Sequence, residues 1–262
     1  MARLRIILFL LFLFSSFALA QTQPQSDPQA LSLATQSMAT LTGGTSITDA
    51  TLNGNVSWIA GSDTQTGTGT FLAKGVSESR YDLILNGGNQ SDIRNASNGS
   101  PAGAWVGSDG VSHSYASQNC WTDSAWFFPA LSALSNADLS VVLTYVGPET
   151  RLGVSVQHLQ AYRFVPAKSS ATTALLQQES TTDFYLNAVS LLPVATTFKV
   201  HPDDDSSVNL AVEVDYSSYQ ASNGAQLPMR VQRYLQGELI LDLSVTAVSL
   251  NSGIPDSDFT IQ

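Results

Sequence analysis

Hydrophobic residues recur with two different periods along this chain, and the change of period separates the predicted elements. Apolar residues at helical spacing follow Ser26-Asp27-Pro28, namely Leu31, Ala34, Met38 and Leu41. A capping side chain before a proline is typical of a helix start, and Gly43-Gly44 is typical of a helix end. The pattern predicts an amphipathic helix of about four turns, which needs an apolar surface to lie on.

From Thr51 onward the period falls to two, which is typical of strands with one buried face. The alternation is clearest in the last third of the chain, where these residues share a face: Leu192, Val194, Phe198, Val200, Leu210, Val212, Val214, Tyr216, Leu227, Met229, Val231, Leu239, Leu241, Leu243 and Val245. Short connections such as Asn223-Gly224 predict antiparallel neighbours, because parallel strands need a long crossover.

Two other segments have helical features. Residues 123–131 contain Trp126-Phe127-Phe128 and begin at a cap, either Thr122 or Asp123, so they predict a second main helix. A shorter helical piece is predicted within residues 171–178. The Gly/Asn/Ser-rich residues 86–103 predict a loop or a long hairpin end, and a further hairpin is expected between Trp105 and residues 113–118.

The long sheet must hide its apolar face, either against a second sheet or by curling around helices. Because two amphipathic helices lack partners of their own, the second solution fits better. The sequence therefore predicts an α+β fold, a strongly curved antiparallel sheet (half-open barrel) with two main helices covering the concave face. No break in composition divides the chain, so residues 27–262 are predicted to form a single domain.

The N-terminal twenty residues predict a signal peptide rather than part of the fold. Residues 1–5 are basic, and residues 6–14 are apolar but shorter than the roughly 20 residues that span a bilayer. Ala18-Leu19-Ala20 completes a cleavage pattern, and residues 21–26 predict a linker. We therefore expect an exported protein, periplasmic or extracellular, that is soluble after cleavage and is not an integral membrane protein.

Composition and charge exclude several classes of function. The formal charge is −10, with 11 Lys and Arg against 21 Asp and Glu, so nucleic-acid binding is not expected. The single cysteine, Cys120, excludes an internal disulfide, and His113, His158 and His201 show no metal-ligand spacing. Asp203-Asp204-Asp205 predicts a solvated turn. No catalytic or phosphate-binding motif is present, so neither an enzyme, a metal nor a cofactor is predicted.

The order of these segments resembles the LolA-like family of periplasmic lipoprotein carriers. The resemblance is carried by Asp183-Phe184-Tyr185-Leu186-Asn187, Leu191-Leu192-Pro193-Val194, Gly224-Ala225-Gln226-Leu227-Pro228-Met229-Arg230-Val231, residues 239–250 and the tail from Asn251 to Phe259. It covers most of the chain after residue 20 and is strongest over roughly the last eighty residues. It implies a half-open barrel with helices as a lid, enclosing a cavity for acyl chains.

These observations define a candidate ligand site and two alternative functions. The predicted ligand-binding residues are Tyr81, Leu83, Leu85, Trp126, Phe127, Leu186, Phe198, Val212, Val214, Leu241 and Leu243. The leading prediction is a carrier for a lipid, lipoprotein acyl chains or another hydrophobic ligand in the cell envelope. The alternative is an envelope sensing or assembly module that binds a protein partner and has no open cavity. Residues 86–137 form either a lid or an elaborated hairpin.

Overall fold

The computed structural model describes residues 22, 24–96, 100–167 and 169–261. The strands in these residues form one curved antiparallel sheet. The predicted signal peptide lies outside these described residues. The strands of this part of the chain are β1 Asp49–Ala60, β2 Asp63–Lys74, β3 Glu78–Leu85, β4 Gly88–Asn95, β5 Ala102–Val106, β6 Ser112–Ser114, β7 Val141–Arg151, β8 Val154–Arg163, β9 Thr182–Asn187, β10 Pro193–Val200, β11 Leu210–Ser222, β12 Ala225–Leu235 and β13 Glu238–Leu250.

The strand order is β6-β5-β4-β3-β2-β1-β13-β12-β11-β10-β9-β8-β7. Neighbours in the sheet are therefore neighbours in sequence, except at the central pair of β1 and β13. The two edge strands, β6 and β7, are consecutive in sequence, and no pairing joins them among the described residues. The segment between β6 and β7 thus connects the two edges of an unclosed barrel.

A helix predicted from the sequence covers part of the concave face. Helix α1, Pro28–Thr42, begins where the Asp27 side chain accepts hydrogen bonds from the backbone N–H groups of Gln29 and Ala30. It ends at Gly43, whose φ of 61° is left-handed, and a Cβ there would lie 2.2 Å from the Gly224 carbonyl oxygen. Only glycine meets both conditions without strain. This helix is confirmed.

The second main helix, predicted at residues 123–131, is wrong as placed. Residues 117–135, which we call the inner segment, form turns and 3₁₀ turns, including Pro129–Leu131 and Ala133–Ser135. Pro129 lacks the N–H that an α-helix needs and clashes with the carbonyl of Ala125 in helical geometry. It also disfavours the α region for Phe128, which has φ −136° and ψ 89°.

The second α-helix of the described chain is α2, Ser170–Glu179, where the short helical piece was predicted. The Ser169 hydroxyl caps it by accepting from the backbone N–H of Thr172 at 3.1 Å. Helix α2 packs against β8 and the start of the inner segment. The fold class, an α+β half-open barrel with two helices, is confirmed, and the extent of the domain stays a prediction. Among the described residues, no helix combines the length and hydrophobicity needed to cross a bilayer.

The convex face carries a carboxylate pair beside an arginine. The Arg151 guanidinium pairs with Glu213 at 2.8 Å and lies 4.4 Å from the ring centre of Tyr185. Asp215, two residues along β11, has a buried Oδ1 atom without a hydrogen-bond partner. Burial raises the pKa of Asp215, and the neighbouring charge of Glu213 raises it further, to about 7, although Arg151 opposes the rise.

This shift predicts a pH-dependent stability. The folded protein holds the Asp215 proton up to about pH 7, whereas the unfolded chain releases it near the ordinary value of 3.8, so stability falls over this interval as pH rises. Asp215→Asn removes this loss of stability, because the asparagine amide does not titrate in this pH range. After allowance for solvent screening, we expect it to stabilise the protein by about 1 kcal/mol at about pH 8 and hardly at all near pH 4.

Urea unfolding at both pH values measures this effect. Asp63→Asn, which changes an exposed carboxylate that is bonded to Gln65, serves as the matched control and is expected to leave the pH dependence of wild type intact. An equal stability gain at both pH values would contradict the assignment to the Asp215 proton.

Candidate functional site

The eleven predicted ligand-binding side chains all lie in the packed interior, each at most 8% exposed. One cluster contains ten of them: Tyr81, Leu83, Leu85, Trp126, Phe127, Phe198, Val212, Val214, Leu241 and Leu243. Leu186 belongs to the neighbouring cluster beneath α1. Tyr81 also lines a cleft on the concave face, and Phe198 lines a groove beside α2. The fold thus brings the set together, and its binding of a ligand stays a prediction.

The inner segment fills the middle of the concave face with aromatic side chains. Phe127 is fully buried, and its ring centre lies 5.1 Å from that of Phe71. Trp126 meets Phe71 and Tyr81 edge-on, with ring centres 6.3 and 6.0 Å away. The Tyr216 hydroxyl donates to the Trp126 carbonyl oxygen at 2.6 Å. This part of the interior is therefore occupied by the protein itself.

An aromatic-walled cleft remains open beside this packed centre. Register aligns one row of inner-face residues across β1 to β6: Leu52, Phe71, Tyr81, Asp92, Trp105 and His113. The cleft has a volume of about 390 Å³ and is lined by Trp58, Tyr81, Gln90, Ser91, Trp105, Val106, Gly107, Ser108 and Tyr115. We call it the aromatic cleft. Its size and its mixture of aromatic walls with a few polar groups are typical of a small-molecule site.

Trp105 is the most accessible aromatic wall of the cleft. Its side chain is 38% exposed and stacks on His113, with ring centres 4.2 Å apart and an interplanar angle of 18°. Such stacking holds the indole in one orientation without burying its outer face. An exposed, oriented aromatic surface is available for contact with a ligand.

Gly103 allows Tyr115, which forms another wall of the aromatic cleft, to pack closely against the sheet. A Cβ at this position would lie 2.9 Å from Cδ2 of Tyr115 and 2.7 Å from Cδ of Arg94. The Tyr115 N–H donates to the Gly103 carbonyl oxygen at 2.9 Å, which fixes the backbone beside it. The absence of a side chain at Gly103 therefore sets the position of Tyr115.

A buried polar network lies beneath the cleft and is centred on Asp92, which is 5% exposed. Its Oδ2 atom accepts hydrogen bonds from the hydroxyls of Tyr115 and, at 3.4 Å, Tyr81. The Arg94 guanidinium lies 3.8 Å from the other carboxylate oxygen and 4.4 Å from the Tyr115 ring centre. Arg94 also donates to the Asn119 carbonyl oxygen of the inner segment. The network thus joins the cleft floor to the inner segment.

The electrostatics of this network follow from burial and from Asp92. Burial raises the pKa of both Tyr81 and Tyr115, and the Asp92 charge raises it further, so both hydroxyls stay protonated donors. Burial lowers the pKa of Arg94, but the Asp92 carboxylate together with Tyr115, Cys120 and Tyr81 outweighs that effect and leaves it raised. The network thus presents protonated hydroxyls and a cation held in place by the Asp92 carboxylate.

A second cavity, of about 480 Å³, lies where the two edges of the sheet approach each other. Its walls include Arg94, Cys120, Trp121 and Arg163, and Arg163 pairs with Asp138. Burial raises the pKa of the Cys120 thiol, and the Arg94 charge opposes this rise. Cys120 is therefore a buried thiol that is not activated.

The remaining candidate groups lie apart from one another. His113 stacks on Trp105, His158 contacts Asp183 at 2.9 Å, and the His201 ring bonds to the Val208 carbonyl oxygen. Within the described ranges, no three or more His, Cys, Asp or Glu side chains are arranged to hold a metal ion. The Asp205 carboxylate accepts hydrogen bonds from the backbone N–H and the hydroxyl of Ser207, two residues further along the same turn.

Sequence reasoning missed several residues of this region. The cleft residues Trp58 in β1, Trp105 in β5 and Tyr115 just after β6 come from distant parts of the chain and were not proposed as ligand contacts. Arg233 could have been found, because it continues the alternation of Leu227, Met229 and Val231 and so occupies an inward-facing position of β12. A charged residue at a core position is a signal in its own right.

Comparison with solved structures identifies this architecture as a LolA-like fold. A LolA superfamily protein from Nitrosomonas europaea matches with a TM-score of 0.55 and 14% identity, over 88% of this chain and 97% of that one. A domain assigned to an outer membrane lipoprotein-sorting protein of Vibrio parahaemolyticus gives 0.54 and 11%, over 88% and 96%.

A DUF1329 family protein from Desulfovibrio piger gives a TM-score of 0.53 and 13% identity, over 91% of this chain and 100% of that one. At such identities the likeness is one of fold. No family model matches the chain, and no curated protein matches its sequence. The resemblance inferred from the closing segments is thus confirmed at the level of the fold.

Proposed function

We propose that the protein binds a hydrophobic ligand, such as an acyl chain, in the aromatic cleft and carries it through the aqueous part of the cell envelope. The observation that carries this proposal is an open cleft of about 390 Å³ on the concave face, lined by Trp58, Tyr81, Trp105 and Tyr115. The LolA-like fold and the exported character of the sequence support it. The proposed role involves no chemical reaction.

Desolvation supplies the affinity. Each buried methylene contributes about 0.8 kcal/mol, so five methylenes in the cleft would contribute about 4 kcal/mol before the cost of ordering the chain. The polar groups Gln90 and Ser108 at the cleft wall can remain hydrated while the aromatic rings contact the ligand. A short acyl segment therefore fits the chemistry of the cleft.

A longer ligand would extend toward the predicted ligand-binding residues that lie on the sheet, such as Leu83, Leu241 and Leu243. Trp126 and Phe127 now cover that surface, and Trp126 lies next to Tyr81 at the cleft floor. The inner segment contains no α-helix, and sheet side chains such as Ser79 and Tyr216 hydrogen-bond to its backbone carbonyl oxygens. We expect it to move outward when a ligand reaches beyond Tyr81, and Leu83, Leu241 and Leu243 then become ligand contacts.

The test begins with the full chain purified without detergent. We expect solvent extraction followed by mass spectrometry to find a co-purifying lipid, and the delipidated protein to bind a fluorescent fatty acid. Trp105→Ala should weaken that binding by about tenfold or more, which corresponds to about 1.4 kcal/mol of lost contact. Trp121→Ala is the matched control, because Trp121 lines the other cavity.

Two outcomes would overturn the proposal. If wild type neither retains lipid nor binds the fatty acid, the cleft is not a ligand site. If Trp121→Ala weakens binding and Trp105→Ala does not, the ligand occupies the cavity between the sheet edges instead.

A second candidate function is an envelope sensing or assembly module that binds a protein partner. The specific observation in its favour is the filled centre of the concave face, where Phe127 and Phe128 are buried by the protein itself. In that case the exposed Trp105 surface would contact the partner rather than a lipid. Absence of both co-purifying lipid and fatty-acid uptake would favour this function.

A further inference from the structure

Arg233 is an inward-facing cation without an anionic partner in the described structure. No ion pair joins it to another described residue, and its Nε atom is buried without a hydrogen bond. The guanidinium carbon lies 4.7 Å from the ring centre of Trp126. A cation–π contact offsets only part of what a buried guanidinium loses on leaving water.

The register places Arg233 next to the aromatic cleft. It pairs with Leu241 of β13, which in turn pairs with Trp58 of β1, a wall of the cleft. Adjacent strands are about 4.8 Å apart, so the two backbones lie about 10 Å from each other. The Arg233 charge also acts on the cleft tyrosines, where it opposes the rise in the pKa of Tyr81 and Tyr115 that burial causes.

The balance of charge around the cleft floor is positive, although the chain carries −10 overall. Asp92 is opposed by Arg94 and accepts from two tyrosine hydroxyls, so its charge is already compensated. Arg233 adds a second cation with no matching carboxylate. Asp63 and Glu238 also occupy inner-face register positions, but at exposed hairpin ends.

We infer that the ligand of the aromatic cleft is an anionic amphiphile, whose carboxylate or phosphate head group pairs with Arg233 while its alkyl chain lies against the aromatic walls. This inference rests on the proposed function and specifies its ligand class. A guanidinium presents paired N–H donors that match the oxygens of either head group. A cationic head group is disfavoured, because it would face Arg233 and find Asp92 already bonded.

Calorimetric titration of delipidated wild type with compounds that share a dodecyl chain tests the inference. Dodecanoate and dodecyl phosphate should each bind at least about tenfold more tightly than dodecanol, and dodecyltrimethylammonium should bind no more tightly than dodecanol. Each compound is used below its micelle concentration. Inorganic phosphate alone is the arm that distinguishes an amphiphile head group from a free anion.

Substitutions on β12 test whether Arg233 causes the preference for an anionic head group. Arg233→Met should abolish the difference between dodecanoate and dodecanol while dodecanol still binds, and Arg233→Lys should retain part of it. Arg230→Met is the matched control on the same strand, because Arg230 is exposed and pairs with Asp242 at 2.7 Å. It should leave the preference unchanged.

The outcomes separate this inference from the proposed function. Equal binding of dodecanol and dodecanoate by wild type overturns the inference and leaves the proposed function standing, and it requires no variant to fold. A preference that survives in Arg233→Met, tighter binding of the trimethylammonium compound, or inorganic phosphate binding as tightly as dodecyl phosphate also overturns it. If no dodecyl compound binds, the inference and the proposed function both fail.

Discussion

Replacing Phe127 by alanine is expected to lower the free energy of unfolding by about 3–5 kcal/mol. The Phe127 ring is fully buried and packs on Phe71 and Trp126, with ring centres 5.1 and 5.5 Å away. Its removal leaves a cavity between the inner segment and the sheet, where the surrounding strands can collapse only in part. Urea unfolding followed by circular dichroism measures the change.

Trp105→Ala is the control for this experiment, because that aromatic side chain is 38% exposed and should cost only about 1 kcal/mol. A loss below about 1 kcal/mol for Phe127→Ala would mean that the inner segment is not packed on the sheet in solution. Phe127→Ala also tests whether a ligand contacts the sheet beneath the inner segment. Increased uptake of the fluorescent fatty acid would support ligand contacts beneath the inner segment, and unchanged uptake would confine the ligand to the aromatic cleft.

The second large effect is expected for Asp92→Ala, at about 3–5 kcal/mol. The substitution leaves the Arg94 guanidinium, whose side chain is 13% exposed, without its carboxylate and deprives Tyr115 of its acceptor. An uncompensated charge in a low-dielectric environment is more costly than the pair itself is stabilising. Thermal and urea unfolding of the purified variant measure the loss.

Asp82→Ala provides the matched comparison. Asp82 lies on the adjacent strand β3 and pairs with Arg80 at 2.7 Å, but both side chains are about one-third exposed. Such a surface pair contributes about 0–1 kcal/mol. Equal losses for the two variants would contradict the view that Asp92 and Arg94 form a buried pair.

Local patterns predicted the regular elements well where a single periodicity dominates. The alternation of Val212 and Val214 in β11, and of Leu241 and Leu243 in β13, follows directly from the sheet having one buried face. Helix α1 was predictable because its cap, its apolar stripe and its terminal glycine all lie within one short segment. These features depend on neighbours in sequence.

Features that depend on distant contacts were predicted less well. Residues 88–95 lie in the Gly/Asn/Ser-rich stretch 86–103 that predicts a loop or a long hairpin end, and they form β4 because β3 and β5 pair with its two edges. Trp126-Phe127-Phe128 has the composition of a buried helix, but Pro129 prevents it. The aromatic cleft depends on the register of β1, β3 and β5, which no local pattern specifies.

The pairing of β1 with β13 constrains the order in which the molecule can be completed. Ala50 pairs with Leu250, so the middle of the sheet joins residues two hundred positions apart. Contacts of such high sequence separation form slowly, because the entropy of closing a large loop is lost before any pairing bond forms to offset it. Until β13 arrives, β1 presents a bare hydrogen-bonding edge that another chain could capture. A chaperone that shields this edge during folding would therefore improve the yield of native protein.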